Sequence, residues 1–389
     1  MLLVTIGSLA GKNSYRKIHR WAEYNETRLK KYLKLKGGIP SLPTISRIMG
    51  DIDQEMLIDI FTSWMSTIIN TRGRHIAIDG KGVRAAALKV SGERTKYILN
   101  AIDTESCLVV GERFIPDKTN EMTNIPELLR TLNIKDSMIT IDAIGTTAPI
   151  ISRIREMGAH FLLQVKKNNP VLYKEISDFF ELLNTEKEKD AIKFDKKYAD
   201  IYDKYSTYER NRDRDEYRAT EIYSGEEIKG FKEIKANIGC VGQMRQTRIL
   251  VVRDENGTDI TPSREKFLKE GSCRQPDKPS ESDDADSPRQ RIGLISDVVM
   301  SAKEMARTKR KQWVIENSLH GILDNTYGED RSTIRRGLVG MTVIRKIAYN
   351  VVRLFMQDSG IKEFQPAYDK VTFDWESVMR YIFEPVPVV

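Results

Sequence analysis

The sequence has few of the side chains that build zinc sites or disulfide frameworks. Its 389 residues include three cysteines and four histidines. Cys107, Cys240 and Cys273 form no Cys-x-x-Cys pair, and the histidines lie far apart along the chain. A zinc site needs closely spaced Cys and His ligands, so none is expected. Irregularly spaced cysteines are typical of a reducing compartment, and we expect a cytoplasmic protein.

Long apolar runs are also missing. The first ten residues, MLLVTIGSLA, are apolar but follow no basic segment, unlike a secretory signal. No run approaches the roughly 18 apolar residues that a membrane helix needs, so contact with a membrane is not expected. With 40% hydrophobic residues the chain can bury a substantial core, in two or three domains.

The charge balance is positive. A formal charge of +7 and a pI near 9.0 favour an acidic partner such as nucleic acid. Many proteins with other partners carry a similar charge, so this indication is weak.

Residues 1–72 have helical periodicity. An apolar stripe beside a strongly basic face runs through 14–35, GGIPSLP breaks it at 37–43, and the period resumes at Thr44, the expected cap. Two helices around a Gly-containing turn fit a DNA-reading helix-turn-helix. They fit a helical pair packed on the next domain equally well.

From residue 73 to 170 the pattern predicts an α/β fold. HIAIDG, KYILNAID and CLVVGERFI read as three consecutive antiparallel strands. A helix follows over NEMTNIPELLRTLN, with Pro126 expected in its first turn. Strand SMITIDA, helix APIISRIREMG and strand HFLLQV complete the order of a ribonuclease-H-like mixed sheet.

The remainder predicts an interrupted core. Residues 171–263 read as a mostly β insertion subdomain. Residues 264–291 hold almost no large apolar side chains and predict a disordered linker. Helices over 292–357 would complete the core, and 358–389 is an uninformative tail.

Three carboxylates are candidates for a metal site: Asp79 in HIAIDGKG, Asp142 in MITIDAIG and Glu316 in QWVIENSLHGILD. Cutting or joining a phosphodiester uses two divalent ions about 3.5–4 Å apart. Mg²⁺, with Mn²⁺ as a substitute, prefers carboxylate oxygens and needs no Cys or His. In the predicted sheet the strands bearing Asp79 and Asp142 are neighbours, so these carboxylates would converge at one edge.

Each carboxylate also has a plainer interpretation. An Asp after a strand is most often a turn former or a helix cap, and a mid-helix Glu is usually solvated. Asp142 fits the capping role poorly because Thr146 and Thr147 lie closer to the next helix. Glu316 lies one helical turn from His320, so the two share a face.

Basic residues near these acids are candidate phosphate contacts. Arg310 and Lys311 precede Glu316 closely enough to grip phosphates beside the metals. Arg84, Lys118, Lys166 and Lys167 lie near the predicted strands that bear the aspartates. Lone basic residues of this kind are as often merely solvated.

Five segments, in order, resemble bacterial insertion-sequence transposases of the DDE class, specifically the H-repeat-associated (ISAs-type) group. They are IAIDGKGVR at 76–84, DKTNEMTNIPELL at 117–129, TIDAIG at 140–145, LLQVKKNNP at 162–170 and WVIENSLHGILDNTYGEDRSTIRRG at 313–337. The resemblance covers roughly residues 3–357. It implies a ribonuclease-H-like core in which Asp79, Asp142 and Glu316 are the catalytic triad.

The resemblance also implies the reaction. Metal-dependent hydrolysis at transposon ends would be followed by attack of the freed 3′ hydroxyl on target DNA. A homodimer on DNA is expected, because two ends must be held together, in a bacterial, nucleoid-associated setting. Arg214 and Arg218 match the group's HGRxExR element, which here reads RDRDEYR at 212–218.

Two departures keep other functions open. The helix motif usually reads RxHWxIEN, and this chain has Gln312 in place of the His; Arg212 and Asp213 replace the His and Gly of the other element. An inactive or domesticated DNA-binding derivative is therefore the alternative to an active transposase. A standalone nuclease with the same fold is a third, weaker hypothesis.

Overall fold

The computed structural model describes residues 1–83, 96–115, 121–167, 169–211, 213–230, 238–270 and 289–384. Arg84, Lys118 and Arg212 lie outside these ranges. The chain forms two compact units: Met1–Ser137 with Gln312–Val389, and Met138–Lys311. Both units mix helices with strands, so the α/β class is confirmed.

The first unit begins with five helices, as the helical periodicity predicts. They are α1 (Leu2–Leu9), α2 (Tyr15–Tyr24), α3 (Glu26–Leu29), α4 (Leu42–Asp51) and α5 (Gln54–Ile68). Ser14 caps α2, and Ser41 caps α4 by accepting from the backbone N–H of Thr44. The cap predicted at Thr44 is therefore wrong by three residues, because the helix begins at Leu42 with Pro43 in its first turn.

Three antiparallel strands follow, and that prediction is confirmed. β1 (His75–Val83) pairs with β2 (Lys96–Asp103), which pairs with β3 (Val109–Ile115). Helix α6 (Glu121–Arg130) comes next. Pro126 lies at its sixth position rather than in its first turn, so the predicted placement is wrong, because the helix already begins at Glu121 and continues through the proline.

The second unit carries a six-stranded sheet in the order β4-β5-β9-β8-β7-β6. Its elements are β4 (Met138–Ile141), α7 (Ala148–Glu156), β5 (His160–Val165), α8 (Pro170–Lys189), α9 (Ala191–Tyr198), β6 (Tyr202–Arg210), β7 (Arg214–Tyr223), β8 (Cys240–Leu250), α10 (Arg264–Glu270), β9 (Arg289–Ser296) and α11 (Ala302–Lys311). β4 and β5 are parallel, and the other pairs are antiparallel. Leu162, Cys240, Leu294 and Met305 lie in a core cluster beneath it.

The predicted disordered linker is wrong at both ends. Residues 264–270 form α10, where Phe267 is buried, and β9 begins at Arg289. Residues 271–288 lie outside the described ranges. The sparse apolar content of this stretch concealed α10, in which Phe267 supplies a buried apolar side chain.

The first unit is completed by the C-terminal part of the chain. A π-helix (Ile315–His320) runs into α12 (Gly321–Asn325), followed by α13 (Leu338–Ser359), α14 (Phe364–Phe373) and α15 (Arg380–Phe383). The predicted tail is thus partly helical, and Trp375 is 1% exposed, edge-on to Trp21 with ring centroids 5.5 Å apart. Within the described ranges, no helix is long and apolar enough to cross a membrane.

Candidate active site

Asp79 lies on β1 directly opposite Asn100 of β2. Ahead of Asp79 the strand is buried on both faces, because Ile76, Ala77 and Ile78 have no solvent-exposed surface. The Asp79 side chain, by contrast, is 23% exposed. The local sequence therefore fixes a rigid strand that presents one carboxylate where burial ends.

His320 approaches this carboxylate from the end of the π-helix. Its Nδ1 lies 3.6 Å from Asp79 Oδ2, and its Nε2 lies 3.4 Å from the amide nitrogen of Asn100. Burial, and then the charges of Lys81 and Lys346, lower the pKa of His320 to about 3. The imidazole is therefore neutral. Because Asn100 donates to Nε2, the ring proton is assigned to Nδ1, facing Asp79.

Glu316 is exposed on the same π-helix, which packs against β1. The Gly321 N–H donates to the Glu316 carbonyl, five residues back, as π geometry requires. The carbonyl of Ser318 accepts from the Tyr349 hydroxyl at 2.7 Å and from Arg353 at 3.1 Å. These donors from α13 satisfy the Ser318 carbonyl of the π-helix. The structure thus brings the elements bearing Asp79 and Glu316 together.

Gln312, which lies shortly before the π-helix, also contacts β1. It is 3% exposed, and its Nε2 donates to the carbonyl of Ile78 at 3.1 Å. Among the described residues, Gln312 Oε1 and Asn100 Oδ1 are buried acceptors without a hydrogen-bond partner. Both lie beside the strand position of Asp79.

A buried set of charges clamps β1 to α12, and sequence reasoning missed it. Lys81 Nζ lies 2.6 Å from both carboxylate oxygens of Asp324 and 3.7 Å from Glu329. Arg345 approaches Glu329 at 3.8 Å, and both are 1% exposed. Burial raises the pKa of Glu329 and lowers that of Arg345. The one available signal was that Lys81 follows Asp79 by two residues, hence shares its strand face.

Asp142 belongs to the second unit, immediately after β4. A Cβ at Gly145 would overlap Ile141, so glycine is required for the tight turn that follows. Thr147 is the N-cap of α7 but makes no capping side-chain bond, and Thr146 instead donates to the Gln164 carbonyl at 2.5 Å. The helix thus starts from its N-cap at Thr147, as the closeness of the threonines indicates, but without a capping bond from the Thr147 side chain.

Lys166 and Lys167 share a sheet edge with Asp142. β4 and β5 are parallel, with Ile141 opposite Leu163, so the residues after both strands lie at the same edge. Lys167 is exposed and Lys166 is partly exposed. Their predicted placement near Asp142 agrees with this register.

The three arginines predicted from sequence in this unit are paired with glutamates. Arg310 binds Glu209 through two nitrogens, one of them 2.7 Å from Oε2, and Arg218 lies 3.2 Å from Glu209. Arg214 Nε lies 2.8 Å from Glu216, which Arg218 and Arg248 also contact. Lys311 is exposed at the end of α11. We call Glu209, Glu216 and these four arginines the paired network.

Within the described residues, no group of three or more His, Cys, Asp or Glu side chains is arranged to hold a metal ion. Carboxylates of the candidate set are nevertheless oxygen donors of the kind that hard divalent ions bind.

Comparison with protein families decides the chain's membership. The model of the family described as Transposase DDE domain matches residues 70–351, and a second, DDE_Tnp_1-associated, matches residues 1–65. The chain belongs to the DDE transposase family. The resemblance drawn from the sequence motifs is confirmed.

Relatives of this transposase-family chain cover most of its length. It is 31% identical to "Putative transposase YncI" of Escherichia coli O157:H7 over 91% of this chain and 81% of that protein. It is 29% identical to "H repeat-associated putative transposase YhhI" of Escherichia coli K12, over 90% and 83%. Among solved structures, a piggyBac transposase synaptic complex with hairpin DNA aligns with this chain over 100% of this chain and 73% of the piggyBac chain. The sequence identity is 11% and the TM-score is 0.43.

Proposed function

We propose that this chain is a metal-dependent DNA transposase, which cuts at the ends of its own element and joins them to target DNA. Family membership supports the reaction class. The observation that carries the proposal is the placement of Asp79 on a rigid strand against the π-helix that bears Glu316 and His320. Carboxylates that solvent can reach, held on rigid elements, are what phosphoryl transfer at a metal site needs.

We further propose a ribonuclease-H-like catalytic core, divided by the insertion over 171–263. Supporting it are the antiparallel order β3-β2-β1 in one unit and the parallel pair β4-β5 in the other. In this proposal residues 1–72 are the DNA-binding or associated region, and 292–357 complete the core.

The proposed metal ligands are Asp79, Asp142 and Glu316, for two Mg²⁺ ions or Mn²⁺ in their place. The residues fit such ions: the donors are all carboxylate oxygens, and Asn100 and Gln312 offer unpartnered buried acceptors beside Asp79. When bound, the ions supply activation of the attacking water or 3′ hydroxyl and stabilisation of the leaving oxygen.

The chain's own contribution is position. His320 lies beside the carboxylate of Asp79 and is itself contacted by Asn100, and Gln312 fixes the backbone of Ile78 before it. Lys81 and Asp324 set how α12, and hence the preceding π-helix, lies on β1. Side chains held in this way lose little freedom when substrate binds, which lowers the barrier.

DNA is the proposed partner, held by a homodimer in the bacterial cytoplasm near the nucleoid. Lys166, Lys167 and Lys311 are proposed phosphate contacts, as are Arg84 and Lys118, which lie outside the described ranges. Arg214, Arg218 and Arg310 would first have to leave their glutamates, which weakens their candidacy.

The test is cleavage of labelled DNA carrying the gene's flanking ends by wild type and Asp142→Ala, with Mg²⁺ or EDTA. We expect nicking or joining that requires Mg²⁺ and falls at least ~100-fold in the variant, since a metal supplies several kcal/mol of transition-state stabilisation. Asp178→Ala is the matched control, because Asp178 is an exposed acid of the same unit, paired with Lys174 at 2.6 Å. Wild type that is inert on its own ends would overturn the proposal.

One substitution favours the alternative, an inactive or domesticated DNA-binding derivative. Gln312 occupies the position where the motif usually has His, and it is committed to the Ile78 carbonyl. Salt-sensitive binding without cleavage, with or without Mg²⁺ and unchanged in Asp142→Ala, would establish that alternative.

A further inference from the structure

A basic cleft lies in the first unit, between the starts of α2 and α4 and the segment 333–336. Its volume is about 560 Å³. Three arginines line it, Arg16, Arg335 and Arg336, with hydroxyl groups from Ser46 and Thr333 among the other lining residues. The residues lining it include no Asp or Glu. We call this the basic cleft.

The arginines of the basic cleft have no carboxylate partners among the residues that the structure describes. Arg16, Arg335 and Arg336 are all exposed. Two exposed arginines elsewhere in the same unit differ: Arg72 binds Asp136 at 2.8 Å, and Arg380 binds Asp358 at 2.6 Å. Three unneutralised guanidinium groups around one opening create a local positive potential.

The wall that carries two of these arginines is rigid. The Tyr15 hydroxyl donates to the Arg336 carbonyl at 3.0 Å, which ties the segment to α2. Gly337 has a φ of 69°, and a Cβ there would overlap the carbonyl of Met49 in α4. Only glycine allows this close approach in a left-handed conformation. The cleft is therefore built into the fold.

Two helix N-termini add to the positive potential. Both α2 and α4 are ten residues long, and the residues at their starts, including Ser14 and Leu42, line the cleft. The N-terminal end of a helix carries a partial positive charge that favours anions. Here it reinforces the arginines.

We propose that the basic cleft binds the sugar-phosphate backbone of duplex DNA. Guanidinium groups match phosphate oxygens in bidentate geometry, and hydroxyl groups are common donors to the same oxygens. The arginines are exposed at the opening, which suits an extended polyanion better than a small anion enclosed on all sides. The inference deepens the proposed function and rests on it for the choice of DNA as the polyanion.

The test is the salt dependence of DNA binding by the full chain and by Arg16→Gln/Arg335→Gln/Arg336→Gln. The probes are a duplex carrying the gene's flanking ends and an unrelated duplex of equal length. Each phosphate contact contributes about −0.9 to the slope of log K against log salt. We expect the variant's slope to be less negative by about two to three, with equal loss of affinity on both duplexes, because backbone contacts carry no sequence information.

A matched control removes the same charge elsewhere in the same unit. Arg72, Arg130 and Arg380 are similarly exposed, at 53%, 48% and 53%, but each is paired with a carboxylate. Changing these three to Gln should alter the slope by less than about one. Arg16→Lys/Arg335→Lys/Arg336→Lys keeps the charge of the cleft and should keep most of the wild-type salt slope of DNA binding. Thermal unfolding of every variant checks that the fold is intact.

The outcomes separate the cleft from the reaction. A cleft variant whose slope equals that of wild type, or that of the control, would overturn the inference even if wild type cuts its ends. Wild type that binds through the cleft but never cuts would leave the cleft standing and overturn the proposed transposase activity.

Discussion

Two sets of arginines, one in each unit, have opposite surroundings. In the paired network of the second unit, Arg214, Arg218 and Arg310 all contact glutamates. In the basic cleft of the first unit, the three arginines face no acid among the described residues. The same residue type is therefore neutralised by glutamates in the paired network and left without a carboxylate partner in the basic cleft. Counting basic residues along a sequence does not distinguish the two.

The strand register explains the paired network. Glu209 of β6 lies directly opposite Glu216 of β7. Like charges in that position destabilise a sheet unless cations lie between them. Arg218 contacts both glutamates, and Arg310 from α11 contacts Glu209. Arg310 holds the pKa of Glu209 below its usual range. These arginines offset the repulsion between the two glutamates.

The largest expected effect is a loss of unfolding free energy when a buried ion pair of the first unit is broken. Breaking an exposed ion pair of the second unit is the comparison. Lys346 and Glu112 form an ion pair and are 2% and 0% exposed. Lys346→Met leaves the buried carboxylate of Glu112 without a partner. It should lower the free energy of unfolding, measured in urea, by about 3–5 kcal/mol. Adding Glu112→Leu should restore much of it.

Arg310→Met is the counterpart in the second unit, where the side chain is 52% exposed. It should cost no more than about 1 kcal/mol, because solvent screens the pair. A cost for Arg310→Met as large as that for Lys346→Met would show that the paired network is a stability element of equal weight.

A smaller effect should be seen when the paired network is tested for DNA contact. Arg214→Gln/Arg310→Gln removes two half-exposed arginines, 43% and 52% exposed, whose charge is already neutralised. We expect the salt slope of DNA binding to change by less than about one, against two to three for the basic cleft. A change of two would mean that DNA displaces the glutamates, which would restore the sequence-based role of these arginines.

The smallest effect should come from converting part of the paired network into an unpaired one. Glu209→Gln leaves Arg310 without its carboxylate partner and raises the net charge by one. DNA binding at low salt should tighten, with a slope more negative by up to about 0.9. Glu186→Gln, at an exposed acid of the same unit that Lys197 approaches at 3.4 Å, supplies the charge-matched control. Equal gains in both variants would mean that net charge alone is responsible.

Local sequence was sufficient for the three antiparallel strands of the first unit. β1, β2 and β3 alternate or concentrate β-branched residues between turn signals, and the structure places them as predicted. Asp79, Asp142 and Glu316 could also be picked out as candidate metal ligands from the sequence. An acid at the end of a buried strand, or within a helical motif, is a local pattern. Their roles as ligands remain predictions.

What failed depended on contacts distant in sequence. Lys81 meets Asp324 across 243 residues, and Arg310 meets Glu209 across 101. Trp375 is buried against Trp21, so a segment with no periodic pattern of its own becomes part of a core. The basic cleft joins Arg16 to Arg335 in the same way. No short stretch of sequence contains both members of any of these pairs.

The π-helix at Ile315–His320 has a consequence for how related chains are compared. Its winding accommodates one residue more than an α-helix would over the same path. Deleting Asn317 or Ser318 would let the segment wind as an α-helix along the same path, so the residues before and after it would keep their orientation. A one-residue gap at this point in a homologue is therefore compatible with an unchanged helix on either side of it.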